Sequence, residues 1–118
     1  MKLKHNYKNL KIWKKALYIA FDTSDILEAF SQKEQCNLTS QMSRCSISIP
    51  SNIAEGSSRT DKSFNHFLDI SSGSSYKLST QLLIAHHKKY SNDEELEKLE
   101  NNITEWQMMT SGFQNPLG

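Results

Sequence analysis

Four histidines, His5, His66, His86 and His87, are the side chains of this sequence best suited to move protons or hold a metal. None lies in an HExxH, and no Cys/His spacing resembles a zinc site. His66 and Asp69 are three apart and could touch on one helix face, but a solvated polar pair is the ordinary outcome of that spacing. The Glu-x-x-His pairs that build di-metal centres inside helical bundles are missing. No GxSxG surrounds any of the many serines. The four glycines are scattered and make no phosphate-cradling loop. The sequence therefore points away from an enzyme, with no catalytic residue, metal ligand or cofactor assigned.

Two other groupings remain. Gln41, Arg44, Asn52, Glu55 and Arg59 form a polar cluster. With Ser48 included, positions 44, 48, 52, 55 and 59 step by four, four, three and four, one ridge along a helix. Such a ridge is either a hydrogen-bonded structural strip or an interface for a ligand or partner. The second grouping is basic: residues 1–18 carry Lys2, Lys4, Lys8, Lys11, Lys14 and Lys15 and no acid. Residues 93–105 are its counterpart, with Asp93, Glu94, Glu95, Glu97, Glu100 and Glu105 against Lys98. Either these are two solvated faces attracting each other across a bundle, or the lysines form a rim that meets phosphate. Net charge is only +1, so a single copy is not the basic body of a dedicated nucleic-acid binder.

The elements that must position these groups are helices. A chain of 118 residues suits one small domain, here 1–118, and 36% apolar residues is low for a self-sufficient core. Some burial is therefore expected from other subunits. Two prolines, and two glycines before residue 112, are too few turn formers for an all-β sandwich. Leu10, Trp13, Leu17, Phe21, Ser24 and Leu27 fall on one face of a first helix, about 9–28, flanked by Ile12, Ala16 and Ala20. Ser31 and Glu34 could form a capping box in the connection that follows. Leu38, Met42, Cys45, Ile49 and Ile53 mark a second helix, about 38–55, whose apolar phase passes through Pro50. Either the helix continues with a kink, the form favoured by the unbroken phase, or it breaks and restarts. Ser46 or water is expected to satisfy the freed carbonyl, and Gly56 to end the helix in a left-handed conformation.

Thr60 caps a third helix, about 60–89, with Phe64, Phe67, Leu68, Ser71, Ser75, Leu78, Leu82 and Ala85 inward. Its small-residue run around Gly73 is read as a seam where another helix approaches. Ser91 or Asn92 caps a fourth, about 93–111, with Leu96, Leu99, Ile103, Trp106 and Met109 inward and Gly112 at its end. The fold class is all-α: an antiparallel up-down-up-down four-helix bundle, kinked at Pro50. Cys36 and Cys45 form no CxxC and read as ordinary thiols of a reducing cytosol. The basic N-terminus lacks the apolar stretch of a signal peptide, and no segment approaches a membrane span. A soluble, cytoplasmic protein without membrane contact is expected.

The segments "YKNLKIWKKAL", "LTSQMSRCSISIPSNIAEGSSR" and "FLDISSGSSYKL" resemble a family of four-helix-bundle proteins. Its first members were found encoded by intervening sequences within bacterial 23S rRNA genes. The likeness spans about residues 7–90 and rests chiefly on SIPSNIAEG with its mid-helix proline. It implies an antiparallel bundle that assembles as a ring-like homopentamer, with no established catalytic residues. More distantly the chain resembles the accessory variability proteins of diversity-generating retroelements, basic pentamers that associate with a reverse transcriptase and nucleic acid. The motif positions carried over are Gln41, Arg44, Ile49, Pro50, Asn52, Ala54, Glu55, Gly56 and Arg59, then Phe67, Leu68, Gly73 and Ser74. Cys45 stands where the family usually has alanine. Lys77 stands where it commonly has glutamate, near the level of Arg44.

The function expected is a non-enzymatic homo-oligomeric scaffold, a pentamer by resemblance. Its candidate RNA or DNA contacts are Lys2, Lys4, Lys8, Lys11, Lys14, Lys15, Arg44 and Arg59. The alternative is a protein-binding adaptor, for a reverse transcriptase as an example, without nucleic-acid contact.

Overall fold

The computed structural model describes residues 6–30 and 37–117. Four α-helices account for most of them: α1 (Lys11–Phe30), α2 (Asn37–Ser57), α3 (Asp61–His87) and α4 (Asp93–Gln114), preceded by a 3₁₀ turn at Tyr7–Asn9. No strand occurs among the described residues. Each helix packs against two neighbours, α1 and α3 both lying between α2 and α4. The result is a rod of 47 × 24 × 20 Å.

Pairs between helices set the directions. The Ser71 hydroxyl donates to the Ile49 carbonyl (2.9 Å) and Ser74 to Ser48 (2.9 Å), so α2 and α3 run antiparallel. Ser79 donates to Glu100 (2.7 Å), and Gln114 donates to Asn65 (2.9 Å) and Asp69 (2.8 Å), making α3 and α4 antiparallel too. The Trp106 indole N–H donates to the Ile12 carbonyl at 2.9 Å, and Lys15 meets Glu105 at 3.3 Å. Those contacts run α4 against α1, and α1 is then antiparallel to α2. An up-down-up-down order fits all four registers.

Caps and aromatic pairs define the ends. Thr60 accepts from the Ser63 N–H, and Asn92 forms a capping box with Glu95. The chain leaves α3 through Lys89, whose φ of 65° puts a non-glycine residue in the left-handed region. The Lys89 N–H then reaches the His86 carbonyl and the Tyr90 N–H that of Ala85, closing α3 at His87, two residues before the expected bound of 89. Phe30 packs on Tyr90 at one end of the bundle and Phe64 on Phe113 at the other (5.5 and 5.7 Å between centroids). The Ser31–Glu34 capping box lies outside the described residues.

The inward stripes of three helices match their apolar spacing. Met42, Ile49 and Ile53 of α2 are buried, as are Phe64, Leu68, Ser71, Ser75, Leu78, Leu82 and Ala85 of α3 and Leu99, Ile103 and Trp106 of α4, whereas Leu38, Cys45, Leu96 and Met109 are half-buried at the edge of the core and Phe67 is half-buried beside Gly56. Helix α1 differs. Its buried stripe is Ile12, Ala16, Ile19, Thr23, Ile26 and Phe30, with Leu27 at the margin. Of the expected face, Leu27 is buried and Leu10 and Trp13 pack half-buried against the core, while Leu17, Phe21 and Ser24 are turned about 100° away from the buried stripe, at whose centre lie the expected flanking residues Ile12 and Ala16. Helix α1 carries two apolar faces, and spacing alone cannot say which one is inside.

Four further expectations change. Helix α2 runs unbroken through Pro50 to Ser57, and no described glycine has positive φ, so Gly56 is not a left-handed terminator. A Cβ built on Gly56 would lie 2.7 Å from the Phe67 Cβ and 3.3 Å from the Phe64 Cα. Glycine is required there because α3 passes too close for a side chain. The Ser46 hydroxyl donates to the Ser43 carbonyl (2.9 Å), not to its own carbonyl freed by Pro50. Around Gly73 a Cβ would meet nothing within 4 Å, so no helix of the same chain approaches it. Gly112 likewise sits inside α4, which continues to Gln114.

The two glycines should therefore respond oppositely. Gly56→Ala is expected to lower stability by about 1–3 kcal/mol through overpacking against α3. Gly73→Ala is expected to raise it by about 1 kcal/mol, the helix-propensity gain at an unhindered site. Urea unfolding measures both, and equal effects would contradict the packing described.

Candidate functional site

The SIPSNIAEG stretch lies on α2, and each of its faces has a different neighbour. Ile49 and Ile53 point into the core. Ser48 and Asn52 face α3: the Asn52 amide donates to the Ser48 carbonyl and hydroxyl (both 2.9 Å), and Ser74 joins them from α3. Pro50 and Ala54, with Ser43, Ser46, Ile47 and Ser51, face α1. Hydroxyls of Ser46 and Ser51 and the Asn52 amide all bond carbonyls three or four residues back, so the helix around Pro50 is braced by its own side chains.

The α1 and α2 surfaces leave an open apolar groove of about 690 Å³ between them. Trp13, Leu17, Ala20 and Phe21 line one wall, Ile47, Pro50 and Ala54 the other, with Tyr7 and Glu28 toward opposite ends. Phe21 is 50% exposed and Ile47 56%. A second exposed apolar set lies on α3: Ile70, Tyr76, Leu83 and Ile84. Sequence analysis assigned neither surface. Their signal was present as apolar residues off the core phase, more than one buried face can hold.

The expected polar ridge divides. Ser48 and Asn52 belong to the α2–α3 seam. Arg44 is exposed and donates to Ser40 at 3.0 Å, and Gln41 is exposed. Glu55 pairs with Arg59 at 3.5 Å, and the Arg59 guanidinium sits 5.0 Å from the centre of the Phe67 ring. Lys77 is exposed on α3. An SxxK spacing, which was not expected around any serine, does occur at Ser74–Lys77, but the Ser74 hydroxyl donates to Ser48.

Charge is laid out along the rod. The start of α1, the end of α2 and the start of α3 lie at one end, bringing Lys8, Lys11, Lys14, Arg59 and Lys62 together with Glu55 and Asp61. Arg44 stands apart, about 22 Å along α2 from Arg59 at 1.5 Å per residue. Lys2 and Lys4 lie outside the described residues. The acids at the start of α4 occupy the opposite end, where Glu95 and Lys98 line a recess with Asp22 and Asp25. Broad attraction between the basic and acidic stretches is thus prevented by their antiparallel placement, and Lys15–Glu105 is the pair that joins them. Lys11, Lys14 and Lys15 line a shallow groove of about 520 Å³ between α1 and α4 with Tyr18, Asn102 and Glu105.

For proton chemistry the closest arrangement is His86, whose Nε2 lies 2.6 Å from Asp93 Oδ1 across the α3–α4 turn. The Asp93 side chain is almost wholly exposed, so the pair stands in water. His66 packs edge-on to Phe67, and Asp69 accepts from Gln114 instead of His66. Among the described residues no cluster of three His, Cys, Asp or Glu could hold a metal, and no helix is long and apolar enough to cross a membrane.

Comparison with known proteins places this arrangement. The model of the 23S rRNA-intervening sequence protein family matches residues 8–112. The chain belongs to that family. No curated protein matches it. A similar solved structure is the 1.70 Å crystal structure of a protein of unknown function from the S23 ribosomal protein family of Bacteroides thetaiotaomicron VPI-5482. It superposes with a TM-score of 0.81 at 19% identity, covering 88% of this chain and 98% of that one. That likeness is one of fold. The family's matched region contains the α2–α3 seam, both exposed apolar surfaces and most of the basic end.

A double-mutant cycle separates seam from surface on α2. Ser48→Ala and Ser74→Ala should couple by about 0.5–1.5 kcal/mol in urea unfolding, since they share a hydrogen bond. Arg44→Ala combined with Ser74→Ala should be additive within about 0.5 kcal/mol. Additivity in the first pair would remove the seam's energetic role.

Proposed function

We propose that this protein is a non-enzymatic, homo-oligomeric scaffold that binds nucleic acid through the basic end of its bundle. The observation that carries the reading is the gathering of Lys8, Lys11, Lys14, Arg59 and Lys62 at one end of the rod, remote from the acids at the start of α4. A ring of parallel copies, five by family resemblance, would repeat that end around one face. The field of such a face is concealed by the net charge of a single chain. Self-association is supported by exposed apolar residues on two sides of the bundle, beside the α1–α2 groove and on the outer side of α3. Binding of this kind reads phosphates and carries little sequence preference, whether the strand is RNA or DNA.

A second reading is favoured by the α1–α2 groove. An adaptor would use it to hold a helix of another protein, such as a reverse transcriptase, with the lysines left to solvent.

Light scattering with and without a short RNA or DNA duplex, at low and high salt, tests the scaffold. An oligomer that gains mass with nucleic acid at low salt and loses it at high salt is the expected result. Replacing Lys8, Lys11 and Lys14 by alanine should flatten the dependence of log K on log salt by about 0.9 per lysine that contacts phosphate. An assembled protein indifferent to nucleic acid at every salt concentration would favour the adaptor.

A further inference from the structure

We propose that the α1–α4 groove binds single-stranded nucleic acid, with Lys11 and Lys14 on its phosphates and the Tyr18 ring stacked on a base. The inference rests on the nucleic-acid reading above and names the form of the strand and its site. On α1, positions 14, 15 and 18 follow position 11 by three, four and seven residues, so these side chains share one face. The row is about 10 Å long at 1.5 Å per residue. It makes one wall of the groove of about 520 Å³, and Asn102, Glu105 and Met109 of α4 make the other. Tyr18 is 65% exposed. Phe21 meets it at 5.8 Å between centroids in a T-shaped pair, which occupies at most one face of the tyrosine ring. Ile19 and Met109 add apolar lining, and the Asn102 amide offers a base edge both a donor and an acceptor.

The charges that line this groove are graded along it. Lys15 holds Glu105 at 3.3 Å, and Glu105 is the one acid between residues 101 and 118. Lys11 and Lys14 are exposed and remain for phosphate. Asp22 also lines the groove, one turn beyond Tyr18, and repels phosphate there. A strand is thus held with its backbone toward the start of α1 and an uncharged base at the ring. Arg59, Asp61, Lys62 and His66 share that end of the rod but do not line the groove. Other recesses lack the combination of bases and an open ring. The α1–α2 groove has one acid, Glu28, and no base; the recess at the start of α4 sets Asp22, Asp25 and Glu95 against Lys98. The recess at the α3–α4 turn has His86, His87 and Lys89 but no aromatic ring. A duplex keeps its base faces stacked on one another, so it can use the lysines and not the ring. A single strand uses both.

Fluorescence anisotropy tests this with short labelled oligothymidylate and oligouridylate strands and a DNA duplex of equal length, at low and high salt. The wild type is expected to bind either single strand more tightly than the duplex. Tyr18→Ala should weaken single-strand binding about 5- to 100-fold, the loss of one stacked base, and Tyr18→Phe should restore it to within about two-fold. Tyr18→Ala should leave duplex binding and the salt slope unchanged, whereas Lys11→Ala with Lys14→Ala should weaken both forms and flatten the slope. Circular dichroism and solution mass check each variant. A Tyr18→Ala protein that keeps its single-strand affinity overturns the proposal while leaving duplex binding, and the reading above, in place. Equal losses on strand and duplex overturn it as well, as does a Tyr18→Phe protein as weak as Tyr18→Ala. A change in solution mass on Tyr18→Ala also overturns it, since the ring then serves a subunit contact. A wild type that binds neither form at any salt removes the nucleic-acid reading and this site together.

Discussion

At Gly56 the backbones of α2 and α3 approach more closely than any side chain permits, and the rest of the bundle is arranged around that contact. With Phe64 and Phe67 packed onto the glycine, α3 is held along α2, and small residues continue the seam away from it. Ser71 reaches the Ile49 carbonyl, and Ser74 reaches Ser48, which Asn52 also holds. Polar side chains are tolerated at this depth because each hydroxyl has a partner within about 3 Å. The seam also fixes how α2 is rotated. Once Ser48, Asn52 and Gly56 face α3, Ile49 and Ile53 must enter the core, and Pro50 and Ala54 must turn toward α1.

That rotation explains the proline. On the α1 side of α2 the small residues Ser43, Ser46, Ser51 and Ala54 flank Pro50 and the half-exposed Ile47, and an open groove remains between the two helices. Helix α1 meets the core with its Ile12–Phe30 stripe and leaves its second apolar face, Trp13 to Phe21, beside a trough. A protomer built this way satisfies its interior while leaving apolar surface on two sides.

Electrostatics depends on the same topology. Lysines at the start of α1 and acids at the start of α4 look like partners in the linear sequence. Antiparallel helices put these starts at opposite ends of a 47 Å rod, well beyond the roughly 8–10 Å over which exposed charges act in physiological salt. The molecule is consequently polar along its axis. Near-zero net charge and a locally basic end coexist because distance, not neutralisation, separates the signs.

By itself the sequence determined the four helices, the cap at Thr60, a cap at Ser91 or Asn92, and most core residues of α2, α3 and α4. These depend on local hydrogen bonding and on a 3.6-residue period that neighbouring side chains already display. It also carried the family's motif. It did not determine which apolar face of α1 turns inward, because two stripes about 100° apart have equal claim until α2 and α4 choose between them. Nor did it reveal that Gly56 separates two helices instead of ending one, since a close approach is a property of both backbones. Gly73 was the converse: a small residue read as a contact that, within one chain, faces open space. Tertiary structure decided these points, and with them which surfaces remain for a partner, because exposure is whatever the packing of the other helices leaves uncovered.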